Sequence, residues 1–198
     1  MREAEHAVIP PLQVGDALLL IDLQNDFFPG GALPIARAET VVPVLNDWIE
    51  AATAADLPVY ASRDWHPPDH ASFINQGGQW PRHCVQDTFG AAFRDDVALP
   101  PRVIPISKGA AFDRDAYSAF DGTGLAAALH QRGVRRLWVG GLALDVCVQA
   151  TVLDALKAGF ETHLIREGSR PVDERDGLEA VNAMRHAGAL LEPDAPES

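Results

Sequence analysis

Residues 17–21 read Ala-Leu-Leu-Leu-Ile and run straight into Asp22. A strand with one face in water would alternate polar and apolar residues, and this run does not. Apolar on both faces, it reads as a central strand of a parallel sheet, covered by helices above and below. The remainder of the chain is patterned to supply those layers. Val59-Tyr60-Ala61-Ser62, Val103-Ile104-Pro105-Ile106, Leu137-Trp138-Val139, Thr162-His163-Leu164-Ile165 and Ala189-Leu190-Leu191 are further short apolar runs. Helical spacing appears between them over 40–55, 124–131, 145–157 and 174–186. In the first of these Val41, Val44, Leu45, Trp48 and Ile49 share one side, and Gly159 stands where a helix stop is expected after the third.

Strands alternating with helices predict an α/β fold: a three-layer sandwich around a mostly parallel, doubly wound sheet with helices on both faces. At 198 residues the chain suits one core, so 1–198 reads as a single domain. Pro105 marks its strand as an edge or a bulge. Pro10-Pro11 make 1–16 a loose lead-in, and the acidic stretch 192–198 reads as a frayed tail. A net charge of −12 argues against nucleic acid and anionic membranes as partners. No apolar run approaches the roughly 20 residues of a membrane helix, and the charged first six residues do not open a signal peptide. Two cysteines, Cys84 and Cys147, are too few for a disulfide framework. These features predict a cytoplasmic protein in a reducing compartment.

The stretch 137–156 carries the first sign of chemistry. Gly140-Gly141 interrupt an apolar run and predict a tight turn into a helix. Cys147 then falls on the first helical turn, just past a strand end, where unpaired N–H groups and the helix dipole lower a thiol pKa and can hold an oxyanion. A small buried cysteine under a helix is the plainer alternative. In doubly wound sheets ligands bind outside the carboxyl ends of the strands. Asp22, Asp64, Lys108 and Cys147 each follow such an end. A thiol needs a base to take its proton and return it to a leaving group. Asp22 can serve in that role, with Lys108 favouring the ionised forms.

The segment 64–101 fits neither helical nor strand spacing, and reads as a metal-binding loop insert. It holds Asp64-Trp65-His66-Pro67-Pro68-Asp69-His70 and Trp80-Pro81-Arg82-His83. Carboxylate and imidazole are ordinary ligands for zinc, iron or manganese. Asp64, His66, His70 and His83 are the candidates: Asp-x-His places two ligands close together, and His83 can return across the loop. Cys84, adjacent to His83, reads as a packing residue.

Taken together, these motifs resemble the nicotinamidases of the isochorismatase-like cysteine hydrolases. The resemblance rests on Leu20-Ile21-Asp22-Leu23-Gln24-Asn25-Asp26-Phe27, Gly30-Gly31-Ala32-Leu33, Arg63-Asp64-Trp65-His66-Pro67, Trp80-Pro81-Arg82-His83-Cys84-Val85, Ser107-Lys108-Gly109, Tyr117-Ser118-Ala119-Phe120 and Gly141-Leu142-Ala143-Leu144-Asp145-Val146-Cys147-Val148. It covers about 17–190. It implies a catalytic triad of Asp22, Lys108 and Cys147, with an oxyanion hole from the N–H groups of Ala143 and Cys147 after a cis bond. It implies one divalent metal, zinc or else iron or manganese, on Asp64, His66 and His83, with His70 joining in some relatives. Phe27, Trp80 and Tyr117 would enclose the substrate ring. The implied reaction converts nicotinamide and water to nicotinate and ammonia, and pyrazinamide should be accepted as an isostere. Relatives of this kind are often homo-oligomers. The chain departs from the family at Leu144, often Thr, and at Val146, often Tyr or His, which bears on substrate fit. The alternatives are another small-amide or carbamoyl hydrolase of the superfamily, or a non-catalytic thiol or redox protein on the same fold.

Overall fold

The computed structural model describes residues 9–192. The elements in chain order are β1 (Asp16–Ile21), α1 (Val41–Ala54), β2 (Val59–Asp64), β3 (Ile104–Lys108), α2 (Leu125–Gln131), β4 (Arg136–Leu142), α3 (Gln149–Lys157), β5 (Glu161–Arg170), α4 (Glu174–His186) and β6 (Leu190–Glu192). The six strands form one sheet in the order β3-β2-β1-β4-β5-β6, and every pairing is parallel. The doubly wound α/β sheet expected from the apolar runs is the architecture observed.

β1 lies inside the sheet between β2 and β4, with all six residues buried. Its alternate side chains feed two separate cores. Leu18 and Leu20 pack into a cluster with Val41, Leu45, Trp48 and Ile49 of α1. Ala17, Leu19 and Ile21 join the opposite cluster, with Leu125 and Leu129 of α2, Val152 and Ala155 of α3, and Met184 of α4. This division is why the run had to be apolar throughout: each face of the strand removes its own side chains from water, at about 1.5–3 kcal/mol per large residue. β3 is an edge strand, so Pro105 sits where a missing N–H is tolerated.

Three expectations need correction. Gly140 and Gly141 are strand residues, not a turn. Gly141 pairs with Ile21, and a Cβ on it would lie 2.1 Å from the Ile21 carbonyl oxygen. These glycines let β4 approach its neighbours where a side chain has no room. The helix expected over 145–157 opens as a wide π-helical turn, Leu144–Val148, before α3 begins. The tail does not start at Glu192. That residue ends β6 and its carboxylate lies 3.0 Å from His163 Nδ1. The rest of the tail expected to fray lies outside the described residues, as does the first half of the lead-in.

The long segment between β2 and β3 contains no regular element beyond a 3₁₀ turn at Ile74–Gln76. Two parallel bridges, His66 with Val85 and Phe73 with Trp80, fold it back on itself over the carboxyl end of the sheet. Among the described residues no helix is long and apolar enough to cross a membrane. Both cysteines are free and buried.

Candidate active site

Parallel strands bring their carboxyl ends to one edge, and the residues that follow them meet there. Asp22 comes directly after β1 and turns the chain with φ of 50°. Asp64 and Lys108 are the last residues of β2 and β3 and lie in register. Cys147 is the fourth residue of the π-helical turn after β4.

Lys108 is at the centre. Its Nζ lies 2.9 Å from Asp22 Oδ2, 2.6 Å from Asp64 Oδ1 and 3.4 Å from Cys147 Sγ. Asp22, Asp64 and Cys147 offer ligand atoms close enough together to hold a cation, and the ammonium fills that role. Burial alone would neutralise Lys108, but Asp22 and then Asp64 reverse this and hold its pKa well above the ordinary value. Asp22 is fully buried, which pushes its carboxyl above the usual range against the pull of Lys108. The Ser62 hydroxyl donates to Asp22 Oδ1 at 2.7 Å.

Burial also pushes the Cys147 thiol well above its ordinary value, ahead of the opposing pull of Lys108. This is opposite to the lowering that a helix start alone predicts. The difference lies in the surroundings: Cys147 is only 7% exposed and faces two carboxylates as well as one ammonium. The fold therefore favours the neutral thiol of Cys147 over its thiolate.

On the other side of Asp64 are two imidazoles. Oδ2 of Asp64 lies 3.7 Å from His66 Nε2 and 3.7 Å from His83 Nε2. These three residues form a buried cluster whose ligand atoms lie within 4.8 Å of one another. His66 Nδ1 is 2.9 Å from the Gly109 carbonyl and His83 Nδ1 is 2.7 Å from the Pro81 carbonyl. A carbonyl only accepts, so both Nδ1 atoms carry a proton, and in the neutral imidazole this leaves Nε2, the nitrogen that faces Asp64, with the lone pair. That is the tautomer a metal ligand requires, fixed by an outer hydrogen bond. A divalent ion therefore fits the donor set. Gly109 has φ of 62°, and a Cβ there would lie 2.5 Å from His66 Cε1.

His70 is not brought into this cluster. It stacks on His66 with ring centroids 4.1 Å apart. Its Nε2 faces the Arg114 carbonyl at 3.0 Å and its Nδ1 faces the Ser72 hydroxyl at 2.7 Å. Both nitrogens are thus engaged, and His70 buttresses the His66 ring.

Cys147, His66 and His83 open into one pocket, lined by Phe27, Trp80, Tyr117, Ala143 and Val146, with Leu33, Ile35, Asp115 and Val172 towards the rest of its wall. Phe27, Trp80 and Tyr117 are all there. The Tyr117 hydroxyl accepts from Trp80 Nε1 at 3.1 Å and from Gln79 Nε2 at 3.0 Å, so it also fixes the indole. The Leu142–Ala143 peptide is cis, and Ala143 reaches the pocket beside Cys147. Of the two departures at the loop, only Val146 lines the pocket. Leu144 is buried beneath it, in the core on the α4 side.

Sequence patterning does not single out Ser62, Gln24 or Asp115. Ser62 reads as one more strand residue and Gln24 as the start of a turn, yet both are fully buried. A polar residue buried beside a reactive one leaves no periodic trace.

Known proteins share the sequence pattern and the fold of this chain. The profile of the Isochorismatase domain family matches residues 16–192. A nicotinamidase of Escherichia coli is 37% identical, over 88% of this chain and 93% of its own. The crystal structure of a pyrazinamidase of Pyrococcus horikoshii in complex with zinc superposes with a TM-score of 0.87 at 43% identity, covering 89% of this chain and 98% of that one. A structure from L. infantum in complex with nicotinate gives 0.82 at 36% identity, over 90% and 92%. With the family's profile spanning every strand of the sheet and both halves of the pocket, the chain belongs to the isochorismatase-domain family.

Proposed function

We propose that the chain is a metal-assisted cysteine amidohydrolase that converts nicotinamide and water to nicotinate and ammonia, and that it hydrolyses pyrazinamide as well. The observation that carries this reading is the convergence on Lys108: one ammonium holds Asp22, Asp64 and Cys147 together at the floor of an aromatic-lined pocket. The nicotinamidase and pyrazinamidase relatives and the nicotinate-bound structure support the choice of amide.

In this reading Asp22 takes the Cys147 proton as the sulfur attacks the carboxamide carbon. The N–H groups of Ala143 and Cys147 hold the oxyanion. Asp22 passes its proton to the nitrogen, the C–N bond breaks, ammonia leaves, and a thioester to Cys147 remains. Asp22 then takes a proton from water, whose oxygen attacks the thioester. The C–S bond breaks, nicotinate departs, and the proton returns to sulfur. Lys108 keeps Asp22 charged enough to act despite its burial. Phe27, Trp80 and Tyr117 enclose the ring and orient the amide towards Cys147. Asp64, His66 and His83 would hold a divalent ion, with zinc as our choice in view of the zinc-bound relative; when bound it supplies a Lewis-acidic anchor for a ring nitrogen or water. We place the reaction in the cytoplasm, where Cys147 stays reduced.

The test is ammonia release from nicotinamide and pyrazinamide by zinc-loaded wild type, Cys147→Ala and chelator-stripped protein. Loss in the variant by about 10⁴-fold or more is expected for a nucleophile, together with loss on stripping and recovery on reloading. Absence of release from either amide by the loaded wild type would sink the assignment.

A further inference from the structure

Two polar side chains beneath the site take no part in the steps above, and both act on the segments that carry the candidate metal ligands. Gln24 is fully buried. Its Oε1 accepts from the Asp64 N–H at 2.8 Å, and its Nε2 donates to the Asp64 carbonyl at 2.7 Å and to the Ala91 carbonyl at 2.9 Å. The reason lies in the sheet. β2 runs on to Asp64, but β1 stops at Ile21 and the chain turns away at Asp22. The side of Asp64 that faces β1 therefore has no β1 backbone to pair with, and the Gln24 amide takes its place with one acceptor and one donor. Two bonds to one residue fix both its position and its twist.

Asp26 does the same for the second segment. Its Oδ2 accepts from the Cys84 N–H at 2.7 Å and its Oδ1 from the Ala32 N–H at 3.0 Å. Cys84 directly follows His83 and has φ of 46°, a conformation costly for a residue with a Cβ. The carboxylate thus holds the tight bend that aims His83 at Asp64.

We infer that Gln24 and Asp26 are positioning residues for the metal-binding set, Gln24 acting through Asp64 and Asp26 through His83. The inference rests on the reading of Asp64, His66 and His83 as metal ligands. Because Asp22 belongs to the same turn, one short segment after β1 aligns the proton-transfer group with the metal cradle. Supporting partners of this kind change metal affinity about 10–100-fold when lost.

The experiment is calorimetric titration of zinc alone into metal-free wild type, Gln24→Met, Asp26→Asn, Asp64→Ala and Leu129→Ala, beside thermal melts of each. Methionine keeps the bulk of Gln24 without its amide. Asparagine keeps the shape of Asp26 but offers one acceptor to two N–H groups. Leu129 is a fully buried core residue of α2 and controls for destabilisation alone. We expect one zinc per wild-type chain, Kd weakened tenfold or more in Gln24→Met and Asp26→Asn, and an unchanged Kd with a lowered melting temperature in Leu129→Ala. Binding within about twofold of wild type in both positioning variants would overturn the inference while leaving the metal reading intact. Wild type that takes up no zinc, or Asp64→Ala that binds like wild type, would overturn the metal reading and the inference with it. If Gln24→Met does not fold, Gln24→Asn, one methylene too short to reach both backbone groups, is judged by the same criterion.

Discussion

The Lys108 ammonium lies 2.6 Å from Asp64 Oδ1, while the other oxygen of that carboxylate faces His66 and His83. One side chain therefore belongs to both halves of the site. The thiol half and the imidazole half are a single electrostatic unit, and a change in either is felt in the other.

Lys108→Met should cost about 3–5 kcal/mol of stability, because it leaves the buried Asp22 and Asp64 carboxylates without their shared cation. Urea unfolding of metal-free protein at neutral pH measures it. A cost under about 1 kcal/mol would mean that the carboxylates are neutralised in some other way.

Activity should fail in acid earlier than an ordinary carboxylate would require. Burial raises the Asp22 pKa, and Asp22 must be ionised to take the thiol proton, so kcat/KM falls as pH drops through that raised value. Ser62→Ala removes a hydrogen bond that favours the ionised form. Its acid limb should therefore move to still higher pH. A kcat/KM profile of nicotinamide hydrolysis for both proteins decides, and a limb that stays put would remove Ser62 from the account.

Gly109→Ala should weaken zinc binding tenfold or more. The added methyl meets His66 Cε1 at 2.5 Å, so the ring must give up its bond to the Gly109 carbonyl. A left-handed φ at a residue with a Cβ costs a further 1–2 kcal/mol or about that. Competition with a chromogenic chelator measures the affinity, and melting of the metal-free protein measures the rest.

Far from the site, Asp16 receives a forked pair of bonds from Arg136 at 2.8 and 2.6 Å. Burial opposes ionisation of Asp16, but Arg136 and the Gln13 N–H prevail and its pKa is lowered. A lowered carboxyl contributes stability above its unfolded value of 3.8 and loses it as pH falls through the folded value. Asp16→Asn should then cost about 2 kcal/mol at pH 7. The gap to wild type should close in strong acid, as pH-dependent denaturation would reveal.

What the chain determines by itself is local and periodic. The unbroken run at 17–21 implies a strand covered on both faces, and the alternation of strands with amphipathic helices implies the parallel sheet. Once the sheet is parallel, Asp22, Asp64, Lys108 and Cys147 must share an edge, so their meeting is legible without coordinates. The cluster of Asp64, His66 and His83 is legible for a different reason, since candidate ligands are recognised by residue type more than by fold. The tertiary structure alone decides what depends on distance between segments remote in sequence. Gly140 and Gly141 look like a turn because both a turn and a close strand contact demand the absence of a side chain, and only the packing of β4 against β1 tells them apart. The thiol pKa follows the same logic: a helix start lowers it locally, but the burial that reverses the shift comes from the whole fold. His70 has the composition of a ligand, yet Ser72 and Arg114 occupy both its nitrogens. Gln24 is the clearest case: an ordinary turn residue in the chain, it becomes the missing edge of a strand only because β1 ends before β2 does.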